Sequence, residues 1–264
     1  MRRSEPAFAA FDRKKPRESS LATNFGVDFS GARRDLLRLM ITLAIDTSAH
    51  LCAAALHDSD TDTIVAERTQ DIGRGHAERL MDMIGEVLAK AVIGYEDVNR
   101  VAVSVGPGSF TGVRVGLAAA RGIALGLGVP VVGICALDAL RMVAEPQMKP
   151  ETSLLVALDA RRGEAYAQFF GSDVFPQTPF VASYEAIAAM VPDSVDIRIC
   201  GSGARRVIEA TGRDLPIVHE LAAAPIAAYG RLGATALDTD TRPEPLYLRP
   251  PDAKPQSGFA LARA

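Results

Sequence analysis

The sequence predicts an α/β fold of two lobes with mixed sheets, because three patterns recur along its 264 residues. Apolar runs of strand length alternate with helical segments, and a pair of strands opens each half of the chain. One apolar run ends at Asp46 and a similar run ends at Asp159, which indicates an internal duplication. A Pro-rich stretch over 146–150 separates the halves. The predicted regions are an N-terminal extension (1–39), a first lobe (40–148), a second lobe (149–240) and a Pro-rich tail (241–264).

The first half alternates strands and helices in a clear order. Strands are predicted over 41–45, 51–56, 101–105 and 129–134, and helices over 75–91, 113–127 and 136–144. The helix over 75–91 has the clearest signal, since its apolar residues recur at i, i+3, i+4 and i+7.

The second half repeats this plan on a smaller scale. A hairpin is predicted around Asp159, followed by a helix over 184–190, a strand over 197–200 and a helix that begins near Ala204. The tail is expected to be loosely attached, or to dock its segment 245–249 as an edge strand.

The composition argues against several classes of protein. A net charge of −3 gives no broad basic field, so any bound RNA is expected to be held mainly by another chain. The three cysteines, Cys52, Cys135 and Cys200, are widely spaced, which is typical of reduced thiols in a cytosolic protein. The histidines form no known ligand set, so no metal site is expected. No apolar run reaches the roughly 18 residues of a membrane-spanning helix.

Residues 1–39 differ from the rest of the chain. They are rich in arginine and lysine and lack an apolar stretch, which excludes a secretory signal. Acidic residues such as Glu5 and Asp12 weaken a transit-peptide interpretation. Since a strand opens at Met40, we interpret 1–39 as an over-long gene prediction or a disordered tail.

A glycine-rich turn, GPGSFTG at 106–112, lies between a predicted strand and a predicted helix. Backbone N–H groups at such a junction suit a phosphate, but the Gly-Lys-Ser/Thr of a P-loop is missing, so a tight packing turn is equally supported. Asp46 and Asp159 also end apolar runs beside turns. They either face each other across a cleft and hold Mg²⁺ with a phosphate, or each caps its own turn.

The helix over 75–91 carries a broad apolar stripe with two methionines. Such a stripe is usually core, although methionines also suit adaptable contact surfaces, and the sequence leaves both open. His76, at the start of this helix, is expected to be a cap or surface residue. No Ser–His–Asp triad is recognisable, because Ser109 has no identifiable base.

Five segments resemble the TsaB (YeaZ) family. They are IDTS (45–48), GRGHAERL (73–80), the specific block from VGPGSFTG to VPVVGI (105–134), DARRGEAYAQFF (159–170) and PLYLRPPDAKP (245–255). The resemblance runs from about Met40 to the tail and leaves 1–39 outside. It implies an actin/Hsp70-like fold of two ribonuclease-H-like lobes.

The resemblance also implies a role in making N6-threonylcarbamoyladenosine in bacterial tRNA. The paralogous TsaD family shares the GPG block and carries the transferase chemistry, with a metal held partly by an HxxxH pair. Here His76 is followed by Ala-Glu-Arg-Leu, so no catalytic residue and no metal site is implied for this chain.

By the same resemblance, a non-catalytic cytoplasmic subunit is expected. It would pair with TsaD through a helical bundle, be joined by TsaE with ATP, reach tRNA only through the complex and form a homodimer when alone. No cofactor of its own is implied, and ATP with Mg²⁺ would bind weakly or at the interface of the complex.

Two sets of residues follow from the resemblance. The partner face would be His76, Leu80, Met81, Ile84, Leu88, Gly112, Gly116, Ala119 and Ile123. The nucleotide-cleft remnant would be Asp46, Thr47, Ser48, Gly106, Gly108, Ser109, Gly112 and Asp159. Two competing functions are an autonomous ATPase or sugar-kinase-like enzyme, for which only fragments of a phosphate and adenosine set are present, and a metallopeptidase, against which the missing HxxxH argues.

Overall fold

The computed structural model describes residues 40–171, 176–193, 195–238 and 241–249. The interpretations of 1–39 and of the end of the tail lie outside these residues. Two five-stranded sheets dominate what is described. The first contains β1 (Ile41–Asp46), β2 (Leu51–Asp58), β3 (Thr63–Asp71), β4 (Val98–Gly106) and β5 (Val131–Cys135). The second contains β6 (Ser153–Asp159), β7 (Glu164–Phe170), β8 (Phe180–Ser183), β9 (Ile197–Cys200) and β10 (Ile217–His219).

Both sheets have the same topology. The strand order is β3-β2-β1-β4-β5 in the first and β8-β7-β6-β9-β10 in the second. In each, the second strand runs antiparallel to both neighbours, whereas the first, fourth and fifth strands are parallel. The predicted duplication and the mixed sheets are therefore confirmed.

Six α-helices flank the sheets in the described part of the chain. They are α1 (His76–Ala91), α2 (Phe110–Leu127), α3 (Ala136–Ala144), α4 (Tyr184–Ala189), α5 (Ala204–Thr211) and α6 (Ile226–Thr235), with 3-10 turns at Tyr95–Asp97 and Glu145–Gln147. In α2, Gly116 lies against Ile45 and Val103, whereas Gly233 of α6 lies against Ala102. Because successive strand residues point to opposite faces, α2 and α6 cover opposite faces of the first sheet.

Helix α6 corrects the predicted lobe boundary. It follows the second sheet in the chain, yet it packs on β1, β2 and β4 of the first. The lobe predicted over 149–240 is therefore too long, because the chain returns to the first lobe at α6. Residues from both sheets, from α3 and from α6 form one shared core that includes Ala44, Ala102, Leu137, Leu140, Leu154, Val156 and Tyr229.

Helix α2 departs from the prediction in two ways. It begins at Phe110 rather than at 113, because the Ser109 side chain caps it by accepting a hydrogen bond from the Gly112 N–H at 3.2 Å. Among the described helices it alone is long and apolar enough to cross a membrane by length and composition, which the apolar runs of the sequence did not predict. A core helix that packs on a sheet passes the same test, so this composition is weak evidence for a membrane span.

The described part of the tail, 241–249, is docked rather than loosely attached. The Leu246 N–H donates a hydrogen bond to the Val105 carbonyl oxygen at 2.9 Å, although no strand forms there.

Candidate functional site

A cleft of about 610 Å³ lies between the two lobes. Ser48 and the loop 107–109 line it from the first lobe, and Asp159 and Arg161 line it from the second. Tyr229 of α6 lies beneath this lining and is itself buried. Four residues of the predicted nucleotide-cleft set therefore line the cleft: Ser48, Gly108, Ser109 and Asp159. Ser48 follows the end of β1, and Asp159 is the last residue of the duplicated strand β6.

Asp46 is not one of the residues that line the cleft. Its side chain is buried, and its Oδ1 accepts hydrogen bonds from the Ser48 N–H at 2.8 Å and from the Ser48 hydroxyl at 2.6 Å. Burial raises the pKa of the Asp46 carboxyl, and the Ser48 hydrogen bonds act in the opposite direction. Asp46 therefore caps its own turn, and the alternative of two carboxylates facing each other across the cleft is wrong.

Asp159 does line the cleft, but it has partners within its own lobe. Its Oδ1 accepts hydrogen bonds from the Arg161 N–H at 2.8 Å and the Tyr184 hydroxyl at 3.0 Å, and Arg206 lies 3.6 Å away. The pKa of Tyr184 is raised to about 12, chiefly by burial and secondly by its hydrogen bond to Asp159. The two hydrogen bonds hold the Asp159 carboxylate in place at the cleft wall.

The glycine-rich loop packs directly on the turn that follows β1. The Ser48 carbonyl accepts a hydrogen bond from the Ser109 N–H at 2.6 Å, and a Cβ on Gly108 would lie 2.1 Å from that carbonyl oxygen. A Cβ on Gly112 would lie 2.0 Å from the Thr47 carbonyl oxygen, and the Thr47 hydroxyl donates to the Gly112 carbonyl at 2.7 Å.

These contacts favour the packing alternative for the loop. The Ser109 and Gly112 N–H groups are already engaged, by the Ser48 carbonyl and by the Ser109 hydroxyl, so fewer donors are left for a phosphate. Gly106 begins the loop with φ of 92°, in the left-handed region that favours glycine. Within the described residues, no group of three or more His, Cys, Asp or Glu side chains is placed to hold a metal ion.

The predicted partner face is wrong for six of its members. The following residues are buried within the chain: His76, Leu80, Ile84, Leu88, Gly112 and Gly116. The apolar stripe of α1 packs on β2 and β3, so it forms core rather than a contact surface. His76 is neither cap nor surface residue; its Nε2 lies 3.2 Å from the Leu51 carbonyl oxygen. Met81 is exposed, and Ala119 and Ile123 are half-buried.

A different surface of α1 is available. Its charged flank lies over β3, because Arg79 Nε donates to Gln70 Oε1 at 2.9 Å and Glu86 pairs with Arg68 at 3.4 Å. The opposite flank therefore borders α2, which packs beside α1. That flank carries the exposed residues Ala77, Met81 and Gly85.

Helix α2 continues this surface with small and apolar side chains. A Cβ at Gly122 or Gly126 would meet no atom within 4 Å, so a neighbouring helix can approach closely there. We define the α1–α2 face as Ala77, Met81, Gly85, Val115, Ala118, Ala119, Gly122, Ile123 and Gly126. Most of these residues were not predicted, although Ala118, Gly122 and Gly126 recur every fourth position, a pattern that marks one side of a helix.

Comparisons with known proteins identify related sequences. A family model described as "TsaD: tRNA N6-adenosine threonylcarbamoyltransferase" matches residues 63–174. An uncharacterized protein of Mycobacterium tuberculosis is 32% identical over 219 residues, which cover 83% of this chain and 96% of that protein. The tRNA threonylcarbamoyladenosine biosynthesis protein TsaB of Escherichia coli is 37% identical over 127 residues, which cover 48% of this chain and 53% of that protein.

Solved structures agree with the topology. An uncharacterized protein of Pseudomonas aeruginosa, described as similar to peptidase YEAZ, superimposes with a TM-score of 0.67 at 25% identity, covering 80% of this chain and all of that one. YeaZ of Pseudomonas aeruginosa superimposes with a TM-score of 0.61 at 23% identity, covering 74% of this chain and 91% of that one. The predicted actin/Hsp70-like fold is confirmed.

Proposed function

Because the chain belongs to the TsaB (YeaZ) family, we propose that it is a non-catalytic subunit in the bacterial synthesis of N6-threonylcarbamoyladenosine in tRNA, and that it binds a TsaD-type transferase. Relatives in the family are named for tRNA threonylcarbamoyladenosine biosynthesis. The matching family model is that of the transferase itself, which supports a shared ancestry between this chain and its proposed partner.

The observation that carries the proposal is the α1–α2 face. It combines an exposed methionine with glycines and alanines on two adjacent helices, and charged flanks border it on both sides. A surface of this kind fits the helices of a partner, because small residues let helix axes approach and methionine adapts to the facing side chains. A TsaD-type protein with the same lobe plan would present equivalent helices, and together they would form a helical bundle.

The cleft supports a binding role rather than an autonomous ATPase. Asp46 is buried against Ser48, and two N–H groups of the glycine-rich loop are engaged within the chain. In this proposal the transferase supplies the chemistry, TsaE joins the pair with ATP, and tRNA is reached through the complex. Any ATP with Mg²⁺ would sit at the interface of that complex.

Reconstitution of threonylcarbamoyl transfer tests the proposed role. The transferase, TsaE, the synthase that makes threonylcarbamoyl-AMP, ATP and tRNA would be combined with and without this chain, and modified adenosine measured by mass spectrometry. Product should form only when the chain is added. Equal product in its absence, together with ATP turnover by the chain alone, would favour the autonomous ATPase.

A further inference from the structure

The described tail segment, Thr241–Arg249, which we term the strap, contacts both lobes. At its first-lobe end Pro243 lies against Gly133 of β5, and its carbonyl accepts a hydrogen bond from Arg121 of α2. The Leu246 N–H then donates to the Val105 carbonyl oxygen at the end of β4. This part of the strap therefore runs along the first sheet beside α2.

The centre of the strap is held by aromatic and cationic side chains. The ring of Tyr247 lies 5.3 Å from that of Phe110, the first residue of α2. Arg114 lies over both rings, with its guanidinium carbon 3.7 Å from the Phe110 centroid and 5.7 Å from that of Tyr247. Its Nε also donates to the Tyr247 hydroxyl at 2.8 Å. Cation–π and hydrogen-bond contacts together fix Tyr247 on the N-terminal end of α2.

The second-lobe end of the strap is a single guanidinium. Arg249 donates to the carbonyl oxygens of Ala160 at 2.8 Å and Arg161 at 3.3 Å, and it pairs with the Glu164 carboxylate. It also lies 5.6 Å from the ring centroid of Tyr166. All four partners belong to the β6–β7 turn or to the start of β7.

That turn has an unusual backbone. Arg161 and Arg162 have φ of 61° and 57°, in the left-handed region that is uncommon for residues other than glycine. Such a conformation persists only when its surroundings impose it. Arg249 binds the carbonyl oxygens of Ala160 and Arg161 and the Glu164 side chain, so it is well placed to impose it. Arg161, in turn, lines the cleft.

We propose that the strap is a mechanical link between the N-terminal end of α2 and the cleft wall formed by the β6–β7 turn. Tyr247 and Arg249 are separated by a single residue, Leu248, so displacement of one pulls directly on the other. A movement at Phe110 or Arg114 would therefore alter the support of the strained turn. This link concerns the chain alone; under the proposed function, it would let docking at α2 change the shape of the cleft.

Hydrogen exchange of the full chain, resolved by peptide, tests the link. In Tyr247→Leu, amides of the β6–β7 turn should exchange about tenfold faster, although the Tyr247 ring packs on the first lobe. In Arg249→Met, the Leu246 amide should exchange faster in the same way. Arg242→Met is the matched control, because Arg242 is exposed within the same segment, and it should change neither end.

Changes confined to the substituted end in both variants would overturn the link. Tyr247→Phe, which removes only the hydroxyl that binds Arg114, should give the same pattern at smaller amplitude. If Tyr247→Leu does not fold, Tyr247→Phe takes its place in the test. The link is then overturned if the β6–β7 turn exchanges at the same rate in Tyr247→Phe as in wild type. Binding of a transferase is not needed for either readout, so this test can fail while the proposed function stands.

Discussion

Asp46 and Asp159 occupy equivalent ends of β1 and β6, and each accepts a hydrogen bond at 2.8 Å from the backbone N–H two residues later. The two turns differ in their surroundings. Asp46 is buried beside Tyr229, whereas Asp159 reaches the cleft. Duplication has thus preserved the turn, while the packing of α6 on the first sheet has closed one of the two sites.

Asp46→Asn should stabilise the protein at neutral pH. Because burial raises the pKa of Asp46 in the folded state, the folded chain binds more protons than the unfolded chain as the pH rises above the unfolded pKa. Stability is then lost with rising pH until the folded pKa is passed. The neutral asparagine avoids this loss, so we expect Asp46→Asn to be more stable than wild type near pH 8, with a gain that shrinks towards pH 4, measured by urea unfolding.

Asp159→Asn is the matched control for that prediction. It changes the same position of the equivalent turn, but its carboxylate reaches the cleft, so it separates the effect of the side-chain change from the effect of burial. The interpretation of Asp46 as a buried carboxylate would be contradicted if the wild type became more stable relative to Asp46→Asn as the pH rises.

Gly112→Ala should destabilise the protein strongly. A Cβ at this position would lie 2.0 Å from the Thr47 carbonyl oxygen, so the turn after β1 and the start of α2 would have to separate. The loss should exceed about 2 kcal/mol in chemical denaturation, as for other overpacked sites. Gly122→Ala in the same helix meets no atom within 4 Å and should instead stabilise by about 0.5–1 kcal/mol. Equal effects of the two substitutions would contradict the packing described for the loop.

The native thiols should be unreactive in the folded chain. Burial raises the pKa of Cys52 and of Cys135 to about 11 and that of Cys200 to about 12, so very little thiolate is present near neutral pH. A colorimetric thiol reagent should label all three only after unfolding in guanidinium. Rapid labelling of Cys52 or Cys200 in the folded protein would contradict the burial of these two side chains.

Without a partner, the chain should associate with itself through the α1–α2 face. Sedimentation velocity should show a concentration-dependent dimer, because burying the exposed apolar face against that of a second copy lowers the free energy. Met81→Glu should remove the dimer, since a carboxylate would be buried there without a partner. A dimer that persists unchanged in Met81→Glu would move the contact to another surface.

The strands and helices were largely predictable from local patterns, since apolar periodicity reports which side of an element is buried. The same periodicity does not report which part of this chain, or which partner, covers the apolar side. Leu80, Ile84 and Leu88 were assigned to a partner, but the strands β2 and β3 of the same chain cover them. The α1–α2 face, which we propose as the contact surface, lies instead on a flank of α1 that the apolar stripe does not mark.

Long-range placement was also beyond the sequence. Nothing local indicates that α6 returns to the first sheet and buries Asp46 beside Tyr229, because that arrangement depends on the packing of both lobes. The left-handed turn at Arg161 and Arg162 could not be predicted either, since arginine has no preference for that conformation and Arg249, which binds two carbonyl oxygens there, is distant in sequence.

The affinity of the chain for a TsaD-type transferase, compared between Met81→Glu and Met190→Glu, tests the central claim most directly. Both methionines are exposed, with 48% and 40% of their surface accessible, but only Met81 lies on the α1–α2 face. By isothermal titration calorimetry, Met81→Glu should weaken binding at least about tenfold, or ~1.4 kcal/mol, with an unchanged melting temperature, whereas Met190→Glu should bind as wild type does. Wild-type affinity in Met81→Glu would contradict docking through this face.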